Sequence, residues 1–119
     1  MRDKNRDQIT ENRIVLVGGL APSMFSYREL LIHYKKISIE ELKEFAKNAE
    51  VLNFVRHEST VKLLSQVLGK DLTTSSGLYQ WLKGDMLIVV GLKKPVRGQE
   101  VEVKADDIDI VLCEIVVVE

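Results

Sequence analysis

The fold is decided by the stretch VLNFVRHESTVKLLSQVLG (residues 51–69), which joins a buried strand directly to a short helix. Residues 51–55 form an almost continuous apolar run that is typical of a buried strand, and the apolar residues that follow recur at helical spacing as far as Gly69. A strand followed at once by a helix is typical of α/β sheets, whose ligands gather at the carboxyl ends of the strands. The pattern therefore predicts a binding site around Arg56 and His57.

The beginning of this helix is a candidate anion site. The N–H groups of a first helical turn have no acceptors inside the helix, so together with the helix dipole they favour a phosphate or a carboxylate. Ser59 and Thr60 add hydroxyl donors, and a histidine beside a bound phosphate can protonate a departing oxygen near neutral pH. The same residues also permit a simpler interpretation, in which Ser59 caps the helix and His57 only links it to the strand.

Length and composition indicate one soluble α/β domain. A chain of 119 residues with 45% hydrophobic residues is long enough for a single core and too short for two. Its 17 basic and 18 acidic side chains nearly cancel, so neither duplex nucleic acid nor a membrane is an expected partner, and any anion site must be local. Residues 1–12 are polar and lack the apolar stretch of a signal peptide, so we expect a disordered arm before a domain of residues 13–119.

Cysteine and histidine are scarce. The lone Cys113 lies in an apolar run, which predicts a core position and fits a protein of a reducing cytoplasm. No pair of His or Cys residues has the spacing of metal ligands, so we expect no metal and no other cofactor. We interpret His33, which is far along the chain from His57, as structural.

The remaining elements follow from periodicity and capping signals. The patterns predict helices over residues 22–34, from a capping box at Ser38 and Glu41 to about residue 48, and from His57 to Gly69. They predict strands over residues 14–17, 51–55, 78–82, 86–92, 99–103 and 108–118. The tripeptide Lys-Gly-Asp of residues 83–85 is typical of a hairpin turn. The expected fold is α/β, with a mixed sheet of about five strands packed with about three helices.

Two further stretches are candidate phosphate sites. Gly18 and Gly19 end the first strand, which indicates unusual backbone angles or the close approach of another group, although no Gly-x-Gly-x-x-Gly pattern or P-loop accompanies them. Lys93, Lys94 and Arg97 form a basic cluster that either clamps phosphates or is only a solvated loop.

The stretch around His57 also resembles the type III anti-CRISPR ring nucleases, small proteins of archaeal viruses and prophages that also occur beside CRISPR loci. Their segment reads Gly-His-Asp-Ser-Thr before a similar helix, so Arg56 stands in place of the Gly and Glu58 in place of the Asp. Residues 17–25 match the family's first strand and the loop after it, and residues 78–90 match its two strands joined by a Gly-Asp turn. The likeness runs from residue 14 to residue 92, roughly two thirds of the chain.

The resemblance implies a specific activity. Members of this family are homodimers that bind cyclic tetra-adenylate across the subunit interface and cleave it to di-adenylates without metal, which silences type III CRISPR signalling. A ribose 2′-hydroxyl attacks the adjacent phosphorus, and one histidine per subunit, here His57, protonates the 5′-oxygen as general acid. The residues that we expect to bind the ligand are Gly18, Gly19, Ala21, Ser23, Arg56, Glu58, Ser59, Thr60, Lys93, Lys94 and Arg97.

The chain departs from the family pattern at two places. The family's ligand-contacting Asn and Ser after the first strand align with Gly18 and Ala21, and its second Asn aligns with Ser23. Its catalytic Arg and Glu pair aligns with Lys94 and Arg97, and a guanidinium cannot replace a carboxylate as a base.

Two classes of function therefore stay open. The first is a ring nuclease that uses His57 as general acid, with Glu100 or Glu102 as candidates to occupy the space of the missing carboxylate. The second is a non-catalytic relative that binds the cyclic messenger as a sponge or sensor, or that serves as a dimeric interaction module.

Overall fold

Five strands form one mixed sheet in the computed structural model, which describes residues 13–75, 77–93 and 103–118. In chain order the strands are β1 (Arg13–Val17), β2 (Leu30–Ile37), β3 (Glu50–Asn53), β4 (Met86–Leu92) and β5 (Ile108–Val118). The helices are α1 (Ile39–Ala46) and α2 (Glu58–Leu68), with short 3-10 turns at Pro22–Met24 and Ala105–Asp107. The predicted α/β class and mixed sheet are confirmed.

The strand order of the sheet is β2-β5-β4-β1-β3. β1 lies between β4 and β3 and runs parallel to both, so that Ile14 stands opposite Met86 on one side and opposite Val51 on the other. β5 runs antiparallel to β4 and to β2. The carboxyl ends of β1, β3 and β4 therefore meet at one end of the sheet, where ligands of α/β folds gather.

The two faces of the sheet are covered differently. Because side chains alternate along a strand, Ile14 and Leu16 of β1 face the helices, whereas Val15 and Val17 face the opposite side. α1 and α2 cover the first face, with Leu42 and Leu64 fully buried. The second face carries no α-helix in the described part of the chain. It packs instead against the irregular segments that contain Met24, Tyr79 and Trp81.

Local signals set the ends of both helices. Ser38 and Glu41 form the predicted capping box, in which Ser38 Oγ accepts from the Glu41 N–H at 3.1 Å and Glu41 Oε1 accepts from the Ser38 N–H at 2.9 Å. α1 ends at Ala46, slightly before the predicted end. α2 ends before Gly69, which adopts the left-handed conformation (φ 65°) that glycine allows at a helix end.

The predicted helix over residues 22–34 is wrong. Only Pro22–Met24 is helical, as a single 3-10 turn, and the chain from Leu30 to Ile37 is strand β2. β2 pairs along its whole length with β5, and this ladder prevails over the helical spacing of Leu30, Leu31 and Tyr34. The described residues consequently hold two α-helices rather than about three.

The predicted strand over residues 78–82 is also wrong. The Trp81 N–H donates to the carbonyl of Met24 at 2.8 Å, so this segment is bound to the 3-10 turn. It does not pair with any strand of the sheet. Leu82 and Asp85 still form a turn, closed by a 3.0 Å hydrogen bond from the Asp85 N–H to the Leu82 carbonyl, but this turn does not join two strands.

Several other predictions have different outcomes. Cys113 is in the core as predicted, with 3% of its surface exposed, and burial raises the pKa of its thiol. His33 lies exposed on strand β2 and not in a helix. The predicted arm of residues 1–12 and residues 99–102 of the strand predicted over 99–103 fall outside the described residues, and Val103, which is described, lies outside any strand. Among the helices that are described, none is long and apolar enough to cross a membrane.

Candidate functional site

A cleft of about 550 Å³ opens at the carboxyl ends of β1, β3 and β4. Each of these strands contributes its end or the residues just after it. The sequence-predicted residues that the cleft brings together are Gly18, Gly19, Ala21, Ser23, Arg56, His57 and Thr60. The other lining residues are largely apolar and include Leu20, Phe54, Leu78, Tyr79 and Leu92. Three residues of the stretch 51–69 that were predicted to bind a ligand or to act on it, Arg56, His57 and Thr60, therefore line one cleft.

His57 is the N-cap of helix α2. Its backbone is extended (φ −74°, ψ 115°), and its ring nitrogen Nδ1 accepts a hydrogen bond from the N–H of Thr60 at 3.3 Å. The same nitrogen lies 2.9 Å from Oγ1 of Thr60. The interpretation in which Ser59 caps the helix is therefore wrong, because the imidazole takes the position of the capping side chain.

The other ring nitrogen of His57 is available to a ligand. The side chain lines the cleft and is exposed, and Nε2 makes no hydrogen bond within the described ranges. The contacts of Nδ1 with the N–H and the hydroxyl of Thr60 fix the orientation of the ring. A phosphate oxygen in the cleft can therefore reach Nε2 without displacing a protein contact.

The first turn of α2 offers backbone donors beside the imidazole. The N–H groups of Glu58 and Ser59 have no acceptor in the part of the chain that the structure describes, whereas the N–H of Thr60 is bound to His57. Neither Glu58 nor Ser59 lines the cleft, although the sequence predicted both as ligand-binding residues.

The charge of the cleft suits an anion with apolar parts. Among its described lining residues Arg56 is the only side chain with a permanent charge, and no Asp or Glu is present. Phe54 and Tyr79 pack against each other with ring centroids 5.4 Å apart, and Leu20 and Leu78 expose 48% and 72% of their surfaces. Flat apolar groups such as nucleobases fit walls of this kind, and the polar end fits a phosphate.

The two glycines after β1 leave the mouth of the cleft open. Neither Gly18 nor Gly19 has a positive φ, so the predicted unusual backbone angles are absent. A Cβ atom built on either residue would meet no protein atom within 4 Å. Their lack of a side chain therefore keeps space free on the cleft side and serves no packing inside the protein.

Lys93, the one residue of the predicted basic cluster that the structure describes, does not line this cleft. Lys93 follows β4 directly, yet it lines a separate groove with Lys36, Asp106 and Asp109. Its backbone N–H donates to the carbonyl of Asp107 at 2.8 Å. Two more of the predicted ligand residues, Lys94 and Arg97, and the two glutamates proposed as catalytic substitutes, Glu100 and Glu102, lie outside the described residues.

Sequence reasoning missed the network that holds one wall of the cleft. Asp85 accepts two hydrogen bonds from the Arg13 guanidinium, at 3.1 and 2.8 Å, and a short one from the Tyr79 hydroxyl. Burial, and then the bond to Asp85, raises the pKa of Tyr79. The bond to Asp85 is also the main reason why the pKa of Arg13 is raised. The turn at residues 83–85 was the only signal of this network in the sequence.

Asn53 supports the opposite side of the cleft. Its side-chain amide donates to the carbonyls of Thr73 at 2.7 Å and of Val55 at 3.2 Å, and its oxygen accepts from the Val55 N–H at 3.1 Å. The end of β3 is thereby tied to the loop after α2, which positions the residues that lead to His57.

No group of three or more His, Cys, Asp or Glu side chains that could hold a metal ion occurs within residues 13–75, 77–93 and 103–118. The polar side chains that line the described cleft are one imidazole (His57), one guanidinium (Arg56) and the hydroxyl groups of Ser23, Thr60 and Tyr79.

Comparison with known proteins adds the family. The model of the STIV B116-like family matches residues 14–114. Uncharacterized protein 26 of Sulfolobus islandicus filamentous virus (isolate Iceland/Hveragerdi) is 32% identical over 66 residues, which are 56% of this chain and 56% of that protein. The chain therefore spans little more than half of that relative.

A solved structure has the same fold. Protein B116 of Sulfolobus turreted icosahedral virus superposes with a TM-score of 0.65 over 87% of this chain and 99% of its own. At 14% sequence identity the likeness extends to the fold alone.

Proposed function

We propose that this chain, which belongs to the STIV B116-like family of proteins with homologues in Sulfolobus viruses, is a metal-independent ring nuclease. Its substrate is a cyclic oligoadenylate, with cyclic tetra-adenylate as the first candidate. Cleavage of this second messenger switches off type III CRISPR signalling. The resemblance of the His57 segment to the ring nucleases motivates the choice of substrate.

One observation carries the proposal. His57 stands at the first turn of α2 with Nδ1 bound inside the protein and Nε2 available in a cleft that has apolar walls and no described carboxylate. General acid catalysis at a bound phosphate needs an imidazole of fixed orientation. A cyclic oligonucleotide needs polar groups that bind its phosphates and apolar residues that contact its bases. Arg56 adds a permanent positive charge beside it.

The reaction is an internal transfer at phosphorus. A ribose 2′-oxygen forms a bond to the adjacent phosphorus while the bond from phosphorus to the 5′-oxygen breaks, which leaves a 2′,3′-cyclic phosphate and a free 5′-hydroxyl. The 2′-hydroxyl loses its proton to water, and the 5′-oxygen takes a proton from Nε2 of His57. Arg56, which lines the cleft, stabilises the charge on the remaining phosphate oxygens.

The assembly that fits this reaction is a homodimer. A cyclic ligand with its own symmetry is gripped best by two copies of one anion site related by a two-fold axis, so that each subunit supplies one His57. Light scattering with and without cyclic tetra-adenylate measures the stoichiometry. A protein that stays monomeric with saturating ligand contradicts the shared site.

The decisive experiment compares two histidine variants. Wild type, His57→Asn and His33→Ala are incubated under single-turnover conditions with cyclic tri-, tetra- and hexa-adenylate in excess EDTA, and the products are identified by mass spectrometry. Asparagine is a good N-cap, so His57→Asn removes the acid while it keeps the helix end. We expect this variant to cleave about a hundredfold more slowly or worse, with little change in binding, because a general acid contributes at least that factor.

His33→Ala is the matched control, because the chain has only two histidines and His33 is exposed on β2. It should cleave like wild type. Cleavage by His57→Asn at the wild-type rate removes His57 from the mechanism, and a wild type that neither binds nor cleaves any of the rings refutes the proposal.

A second candidate function is binding without cleavage. The described lining of the cleft has no carboxylate that could accept the proton of the 2′-hydroxyl, and this favours a sponge or sensor over an enzyme. Tight binding by the wild type with intact ligand after prolonged incubation identifies that function.

A further inference from the structure

Thr60 is a buried polar residue of helix α2 with only 3% of its surface exposed. Both of its donor groups point at one atom. Its backbone N–H donates to Nδ1 of His57 at 3.3 Å, and its hydroxyl oxygen lies 2.9 Å from the same nitrogen. In the described part of the chain the hydroxyl makes no other hydrogen bond. Because buried polar groups need a hydrogen-bond partner, the Thr60 hydroxyl depends on the imidazole of His57 for that partner.

The contact decides which ring nitrogen of His57 carries the proton. A backbone N–H can only donate, so the nitrogen that faces it must accept and be unprotonated when the imidazole is neutral. The neutral ring then carries its proton on Nε2. When the ring is protonated, Nδ1 gains a proton as well, and the threonine hydroxyl can rotate so that its oxygen accepts it.

We infer that Thr60 is a positioning residue that keeps a proton on Nε2 of His57 in both protonation states of the ring, so that the imidazole meets a ligand as a hydrogen-bond donor. The residue acts through His57 and not by direct contact with the ligand. The sequence had suggested instead that its hydroxyl binds the phosphate.

A ring held in this way is an acid when both nitrogens are protonated and a hydrogen-bond donor to phosphate when it is neutral, and it is a poor general base, since a base needs Nε2 without a proton. This use in phosphodiester cleavage rests on the proposed function. When Nε2 gives its proton to the 5′-oxygen, the ring is left neutral with its remaining proton on Nδ1, where the Thr60 oxygen holds it until solvent restores Nε2–H.

The test uses Thr60→Val and Thr60→Ser. Valine removes the hydroxyl and keeps the branched shape and the backbone N–H, whereas serine keeps the hydroxyl. Nitrogen-15 NMR spectra of the histidine rings in mildly alkaline solution, where imidazoles are neutral, report the ratio of the two tautomers directly. His33 of the same molecule is the internal reference, and its ratio should not change between variants.

We expect the wild type to carry the proton of His57 predominantly on Nε2. The backbone N–H that selects this tautomer is kept in both variants, and the hydroxyl can either donate to Nδ1 or accept from it, so Thr60→Val and Thr60→Ser should also carry the proton predominantly on Nε2. A His57 ring with its proton predominantly on Nδ1, in the wild type or in either variant, overturns the inference.

Cleavage adds a second and separate measurement. Thr60→Val should slow single-turnover cleavage about fivefold or more with unchanged ligand affinity, and Thr60→Ser should cleave at nearly the wild-type rate. The rates of the two variants thus test the hydroxyl, and if the wild type does not cleave, the tautomer spectra still decide whether the Thr60 N–H keeps the proton on Nε2. If the valine variant does not fold, the spectra of wild type and Thr60→Ser decide it.

Discussion

Replacement of Asp85 by alanine should destabilise the fold more than its position in a surface turn suggests. The Asp85 side chain is only 10% exposed and accepts from both Arg13 and Tyr79, so its removal leaves two donors without their acceptor. Tyr79 is itself 7% exposed and lies over the second face of the sheet. The turn thus anchors a wall of the cleft to the beginning of β1.

The magnitude follows from the burial of each partner. Leaving the Tyr79 hydroxyl without its acceptor costs about 1–3 kcal/mol, because water has little access to it. Arg13 is 33% exposed and can turn to solvent, so the loss of its ion pair adds at most about 1 kcal/mol. We expect the free energy of unfolding to fall by roughly 2–3 kcal/mol, which lowers the melting temperature by roughly 10 °C.

Urea unfolding of five variants, one of them Tyr79→Phe alone, measures this effect. Asp85→Asn keeps an acceptor for Tyr79 and should lose only about 1 kcal/mol, and Asp106→Ala removes an exposed carboxylate and should stay within about 0.5 kcal/mol of wild type. Combining Asp85→Ala with Tyr79→Phe should cost less than the sum of the single changes, since both remove the same bond. An Asp85→Ala protein that unfolds at the same urea concentration as Asp106→Ala refutes the reasoning.

Three further predictions concern pH, the glycines and the helix cap. The raised pKa of Tyr79 means that the folded state keeps a proton that the unfolded state releases from about pH 10, so stability is intact below about pH 10 and falls above it. Urea titrations at about pH 8 and about pH 11 should show this fall in wild type and a smaller one in Tyr79→Phe. Gly18→Ala and Gly19→Ala should leave stability within about 0.5 kcal/mol but weaken binding of cyclic tetra-adenylate several-fold by calorimetry, since the added methyl group enters the open mouth of the cleft; unchanged affinity in both would show that the ligand does not approach these glycines. His57→Ala should lower the free energy of unfolding by about 1 kcal/mol relative to His57→Asn in matched thermal melts, and equal stability of the two would mean that the imidazole does not cap α2.

Elements with a local signal were predictable from the sequence. The capping box of Ser38 and Glu41 defines the beginning of α1 by itself, and the apolar run of β1 can only be a buried strand. β2 was not predictable in this way, because its partner β5 lies far along the chain and the apolar residues of 30–37 fit a helix equally well. Periodicity reports which residues are apolar and not which strand they will pair with.

The candidate site also contains residues that were predictable from the sequence and residues that were not. Residues at the ends of parallel strands come together for topological reasons, so Gly18, Ala21 and His57 were predictable as neighbours once the strands were recognised. The wall that contains Tyr79 was not, since it depends on the contact of Asp85 with Arg13, 72 residues away in the sequence. Lys93 shows the converse, because adjacency in sequence to β4 does not bring its side chain into the cleft.

The position of His57 links the chemistry of the site to the stability of the helix. A capping side chain is held by the same hydrogen bond that stabilises the first turn, so the free energy that orients the imidazole is part of the folding free energy of α2. The ring is therefore oriented before any ligand arrives, and binding need not supply that ordering. Serine or aspartate would cap this helix as well, but neither would present a second nitrogen to the cleft. The use of histidine at this one position is what turns an ordinary strand-to-helix junction into a candidate acid.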